Sequence, residues 1–200
     1  MHRFLCSAAA QVAAFVLCGV AGADLSFAQT PPAAGKSAAR SGAHAHAHAH
    51  GVARLNVTVQ DGTVTLALES PIDNFVGFER RPRTDAEKAA LEALQARMRS
   101  PAALFQFDAG AACALVRAEA ESALFRPAGA DAAGARGAEH VDLDASFEYR
   151  CSAPGGLSRL DLGLFEAYPR LQRLDVVVAG PGGQLKRTLR RPDRSVSLRR

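Results

Sequence analysis

From His140 to Cys151 the chain alternates, residue by residue, between polar and apolar side chains. Val141, Leu143, Ala145, Phe147, Tyr149 and Cys151 fall on one face, and His140, Asp142, Asp144, Ser146, Glu148 and Arg150 on the other. A period of two is a strand pattern; a helix would scatter these apolar residues around its circumference. A second alternation places Ala53, Leu55, Val57 and Val59 together within Val52 to Val59, and Val64, Leu66 and Leu68 together within Thr63 to Glu69. Gln60-Asp61-Gly62 stands between them, so the pair predicts a β-hairpin.

Further strands are predicted at Cys113 to Phe125, Leu160 to Phe165, Leu174 to Ala179 and Gln184 to Arg190, the last two joined through Gly180-Pro-Gly-Gly183. The first of these is uneven: strict alternation groups Ala114, Val116, Ala118 and Ala120, and leaves Cys113 and Leu115 on the opposite face. One segment has helical spacing instead. Ala90, Leu91, Leu94 and Met98 form a stripe, Thr84 and Glu87 have capping-box spacing, and Ser100-Pro101 ends the run, which predicts a helix over residues 85–99. Strands joined by turns around one amphipathic helix predict an α+β fold on an antiparallel sheet. Pro127 to Glu139, rich in Ala and Gly, reads as a loop.

The chain has 200 residues, 48% hydrophobic and 22% charged, with a formal net charge of +4. Those values exclude wholesale disorder and a supercharged binder of polyanions. The one long apolar run is N-terminal. Met1 to Arg3 is a short basic segment, Phe4 to Val20 is apolar and small, and Ser26-Phe27-Ala28 before Gln29 fits a signal peptidase site, with Ala21-Gly22-Ala23 as a second. The expected organisation is a signal peptide over 1–28, a flexible linker carrying an Ala-His tract over 29–50, and a single domain over 51–200. Cleavage would remove Cys6 and Cys18, leaving Cys113 and Cys151. In an oxidising compartment two cysteines read as a disulfide rather than as thiolate metal ligands.

His44, His46, His48 and His50 alternate with alanine. Extended, the four rings share a face; helical, His44 pairs with His48 and His46 with His50. Either geometry offers two imidazoles to one ion, which suits Zn2+. Ni2+ and Cu2+ bind imidazole as well on raw affinity, so the ligands alone do not dictate the metal. The plain alternative is drift in an Ala-rich linker. His140 shares its strand face with Asp142 and Asp144, a second candidate ligand group whose ordinary reading is a solvated face.

His48-Ala-His50-Gly-Val-Ala-Arg-Leu-Asn-Val57 resembles the start of the ZrgA-like family of zinc-regulated periplasmic proteins of Gram-negative bacteria. Glu69-Ser-Pro-Ile-Asp-Asn-Phe-Val-Gly-Phe-Glu79, continuing to Pro82-Arg-Thr-Asp-Ala-Glu87, is similar to that family's longest signature. Phe147-Glu-Tyr-Arg-Cys151, Tyr168-Pro-Arg-Leu171 and Gly180-Pro-Gly-Gly-Gln184 are similar too. The likeness implies a periplasmic zinc-binding protein without catalysis, an accessory to a zinc uptake system whose components would be its partners. Members often carry His directly after the Gly-Phe-Glu of the long signature. This chain has Arg80 there, which implies that more of the metal load falls on the tract.

No G-x-S-x-G, phosphate loop, H-E-x-x-H or C-x-x-C occurs, so an enzyme is not expected. Lys186 to Arg200 holds seven basic residues against Asp193. Such a tail could make weak contact with anionic envelope lipids, as a non-catalytic interaction module would, or it could be a solvated edge strand. Nucleic acid is not an expected partner of an exported chain.

Overall fold

The computed structural model describes residues 49–127 and 141–199. The predicted signal segment, most of the linker with His44, His46 and His48, the loop from residue 128 onward, and His140 lie outside the described residues. The principal strands are β1 (Val52–Gln60), β2 (Thr63–Pro71), β4 (Cys113–Glu121), β5 (Asp142–Cys151), β7 (Arg173–Gly180) and β8 (Gly183–Arg190), with β3 (Phe105–Phe107), β6 (Arg159–Leu162) and β9 (Ser195–Ser197) short. The helices are α1 (Asp73–Val76), α2 (Asp85–Arg99) and α3 (Leu164–Ala167).

Six strands form the main sheet in the order β4-β5-β2-β1-β7-β8, and β3-β6-β9 form a smaller one. Every pairing is antiparallel except β1 with β7, so the main sheet is mixed. The fold is α+β, with the predicted hairpin at its centre. Asp61 and Gly62 both take positive φ, 50° and 77°, closing the hairpin in the turn conformation that Asp-Gly favours.

Leu55, Leu66, Leu68, Phe147, Leu174 and Val176 project from one face of the main sheet into the core and are essentially inaccessible. Leu91, Leu94 and Met98 of α2 supply the helical side of that core. Phe105 and Phe107 of β3 bring the small sheet against it, with ring centroids 4.9 Å from Phe147 and 4.8 Å from Tyr149. Among the described residues no element covers the opposite face of the main sheet, and Asn56, Thr58, Thr65, Glu69 and Asp144 are exposed on it.

Three sequence expectations need correction. In β4 a bulge between Leu115 and Arg117 shifts the register, so Leu115 faces Tyr149 and Ala118 faces Phe147. Cys113 and Leu115 therefore share the core side with Ala118 and Ala120, and Val116 is left 58% exposed. The same strand stops at Glu121, where Ser122 accepts the Leu124 amide and starts a short 3-10 turn through Phe125. Finally, β6 ends at Leu162 rather than Phe165. Gly163 packs so closely that a Cβ there would lie 2.1 Å from the Ala103 carbonyl oxygen, and the chain turns into α3.

Cys113 and Cys151 stand directly opposite one another across β4 and β5 and form the expected disulfide. The basic C-terminal segment is built into the fold as β8 and β9. Arg191 donates to the carbonyls of Tyr168 and Leu171, and Arg199 to those of Leu157 and Gly155, so two of its guanidinium groups close carbonyls of neighbouring loops. Among the described residues, no helix is long and apolar enough to cross a membrane.

Candidate metal site

Where β1 begins and β2 ends, the hairpin register decides which side chains meet. Arg54 with Glu69 is the last rung of the β1–β2 ladder, and His50 and Asp73 each lie four residues beyond it. His50 is the last histidine of the Ala-His tract; Asp73 opens α1. Their side chains meet, with His50 Nδ1 2.6 Å from Asp73 Oδ2. The chain then passes Gly77, which has a positive φ of 87° and ends α1 by donating a hydrogen bond from its N–H to the Asp73 carbonyl, and reaches Glu79. One ligand atom from each of His50, Asp73 and Glu79 lies within 4.8 Å of the other two.

Asn74 holds this corner together. Completely buried, at 1% exposure, it accepts a hydrogen bond from the Gly51 amide at 2.6 Å. It donates to the Val52 carbonyl at 3.0 Å and to Ser70 Oγ at 2.9 Å. The Gly51 carbonyl in turn accepts from the amides of Gln172 and Arg173 at 2.8 and 2.9 Å. Gly51 itself has φ of 78°, a conformation in which L side chains are strained. His50 is thus tied through its neighbour to both β2 and β7, although its own ring is exposed.

The electrostatics favour a cation. Asp73 presents a carboxylate with its side chain only 17% accessible, and its Oδ1 is buried with no hydrogen-bond partner among the described residues. The hydrogen bond and charge of Asp73 raise the His50 pKa above its ordinary value, and the Glu79 charge adds to that. Imidazole nitrogen and carboxylate oxygen are both donor types that zinc accepts. Ligands about 2.1 Å from a tetrahedral zinc stand about 3.4 Å apart, so small side-chain rotations would close the observed spread.

Arg80 is committed elsewhere. Its guanidinium makes two hydrogen bonds to Glu87, at 2.6 and 3.0 Å, and lies over the Phe78 ring at 5.6 Å. Glu87 also accepts from the amides of Arg83 and Thr84, while Thr84 Oγ1 accepts from the Glu87 amide, completing the predicted capping box. Those bonds lower the Glu87 pKa to about 2. Position 80 therefore braces the start of α2.

Of the residues singled out from sequence, His50 is the one that the structure brings into this group. Asp142 and Asp144 stand on the open face of β5, opposite Pro71 and Glu69, and are not part of it. His44, His46, His48 and His140 lie outside the described residues. Asp73 and Glu79 were not anticipated as ligands, although both fall inside the long signature. The usable signal was the hairpin, which returns the chain so that the end of the tract lies near the start of α1, just past β2.

No curated protein matches the chain. A protein family described as "ZrgA family zinc uptake protein" matches residues 47–198, a span that takes in His50, Asp73, Glu79 and both disulfide cysteines.

Proposed function

Since the chain belongs to the ZrgA family of zinc uptake proteins, we propose that it is an exported, non-catalytic periplasmic protein that captures zinc and holds it for delivery to an uptake system. The observation that carries this reading is that His50 serves two roles at once. It is the last ring of the histidine tract and the first member of the His50, Asp73 and Glu79 group. Zinc is the cargo.

Rings at His44, His46 and His48 provide the first encounter with the ion, and exchange quickly because single imidazoles bind weakly. Asp73 sits on a corner clamped by Asn74, so it adds a ligand at little further ordering cost, and Glu79 follows just past α1. Three protein ligands leave a fourth position open, through which a tract histidine or an acceptor protein can exchange the ion.

Isothermal titration with zinc tests the reading. Substituting Asp73→Asn together with Glu79→Gln is expected to weaken binding by about tenfold or more, on the scale seen when groups that support a metal site are lost. Changing His44, His46 and His48 to Ala, with His50 retained, is expected to reduce the number of ions bound while leaving the tightest one. Absence of any binding tighter than micromolar, or indifference to both sets of substitutions, refutes it.

A further inference from the structure

The open face of the main sheet is sorted by charge. On β4, β5 and β2 it carries Glu119, Glu121, Asp142, Asp144, Glu148 and Glu69, against Arg117 and Arg150. On β1, β7 and β8 it carries Arg54, Arg173, Lys186 and Arg190, against Asp175. Solubility alone calls for interspersed signs rather than an acidic half beside a basic half. Between the halves the side chains are small: Asn56, Thr58, Thr65 and Ala67.

We propose that this face binds a second copy of the chain, the two sheets stacked face to face about a two-fold axis parallel to the strands and midway between β1 and β2. That rotation lays β4 of one copy over β8 of the other, β5 over β7 and β2 over β1. Rows of the sheet then match by charge. The registers put Glu69 in the row of Arg54, and Glu119, which pairs within the chain with Arg117 at 2.5 Å, in the row of Lys186, so these acids meet bases of the second copy. Thr65 meets Thr58, and Ala67 meets Asn56, which leaves room for sheets to approach to about 10 Å. One like-charged opposition remains, Asp144 over Asp175, but Asp175 is already held by Arg173 at 3.2 Å and Thr188 at 2.7 Å.

The area suffices. Six strands about 4.8 Å apart and about 27 Å long present about 650 Å2 per copy, about 1,300 Å2 in all, near the lower end of specific interfaces. An isologous contact of this kind closes at two copies. It also leaves the His50 corner at the end of the strands rather than beneath the partner's sheet.

Sedimentation equilibrium of the purified protein, kept metal-free with chelator, decides the matter. At low salt the expected result is a monomer–dimer equilibrium in the micromolar range, weakening about tenfold as salt rises to a few tenths molar. Lys186→Glu is expected to weaken it by about tenfold or more, and Glu119→Lys likewise. The double variant carrying both changes restores facing opposite charges and should recover most of the affinity. Both positions are exposed, and circular dichroism checks that each variant is folded. A monomer at every concentration, or a dimer whose constant is unmoved by Lys186→Glu, overturns the proposal.

Discussion

Replacing Asn74 with alanine tests the link between fold and site most directly. Asn74 is 1% exposed and makes three hydrogen bonds, one accepted from Gly51 and two donated to Val52 and Ser70. A net contribution of about 1 kcal/mol for each gives a loss of about 3 kcal/mol, and stranding the Gly51 amide in a buried corner pushes the figure upward. For a domain of this size each kcal/mol moves the midpoint by about 2–4 °C, so Tm should fall by about 6–12 °C. Zinc affinity should fall as well, because Gly51 would no longer hold His50 against Asp73. Denaturant unfolding and zinc titration below the transition read the two effects separately. A loss under about 1 kcal/mol, or full stability loss with unchanged zinc affinity, would show that the corner is not what positions the ligands.

Three other outcomes follow from the same contacts. In metal-free protein, the His50 resonance should titrate above pH 6.5, and Asp73→Asn should bring it down; a raised pKa means that the ion pair stabilises the fold at low pH and fades as pH rises through the folded value. A titration curve indifferent to Asp73→Asn would refute the pairing. For Glu87, lowered from 4.5 to about 2, the sign is opposite: its stabilisation is present above 4.5 and disappears as pH drops toward 2. The stability gap between wild type and Glu87→Gln, followed by denaturant unfolding, should therefore be constant at neutral pH and close below 4.5. Removing the disulfide by Cys113→Ser with Cys151→Ser opens a 38-residue separation and should cost about 4 kcal/mol in the chain-entropy treatment, read as a drop in unfolding midpoint.

The long, strongly periodic elements were legible in the sequence. The helix spans Asp85–Arg99 as predicted, because a stripe, a capping box and a Ser-Pro stop agree on its limits. The central hairpin and β5 were equally plain. What escaped were elements too short to show a period, such as β3 and β9 with three residues each, and α3 with four, which begins after Gly163 where it packs against the Ala103 carbonyl. In β4 the bulge at Val116 breaks the alternation, so a correct count of two gives the wrong face for half of the strand. The site was half visible for a related reason. His50 declared itself by composition, whereas Asp73 and Glu79 are ordinary acids in sequence and acquire meaning only from the residue that the hairpin sets beside them.

The clamp on Gly51 has a consequence for how metal is shared along the chain. Because the residue after His50 is fixed, His48 begins no more than about 7 Å of backbone away and His44 no more than about 22 Å. A ring confined within about 20 Å of the carboxylates has an effective concentration of about 50 mM, whatever the abundance of the protein. On the zinc role proposed above, passage of an ion between the tract and the Asp73 corner is a first-order step, set by covalent distance and independent of dilution. Residues inserted between His50 and Gly51 would lower that local concentration without removing a single ligand.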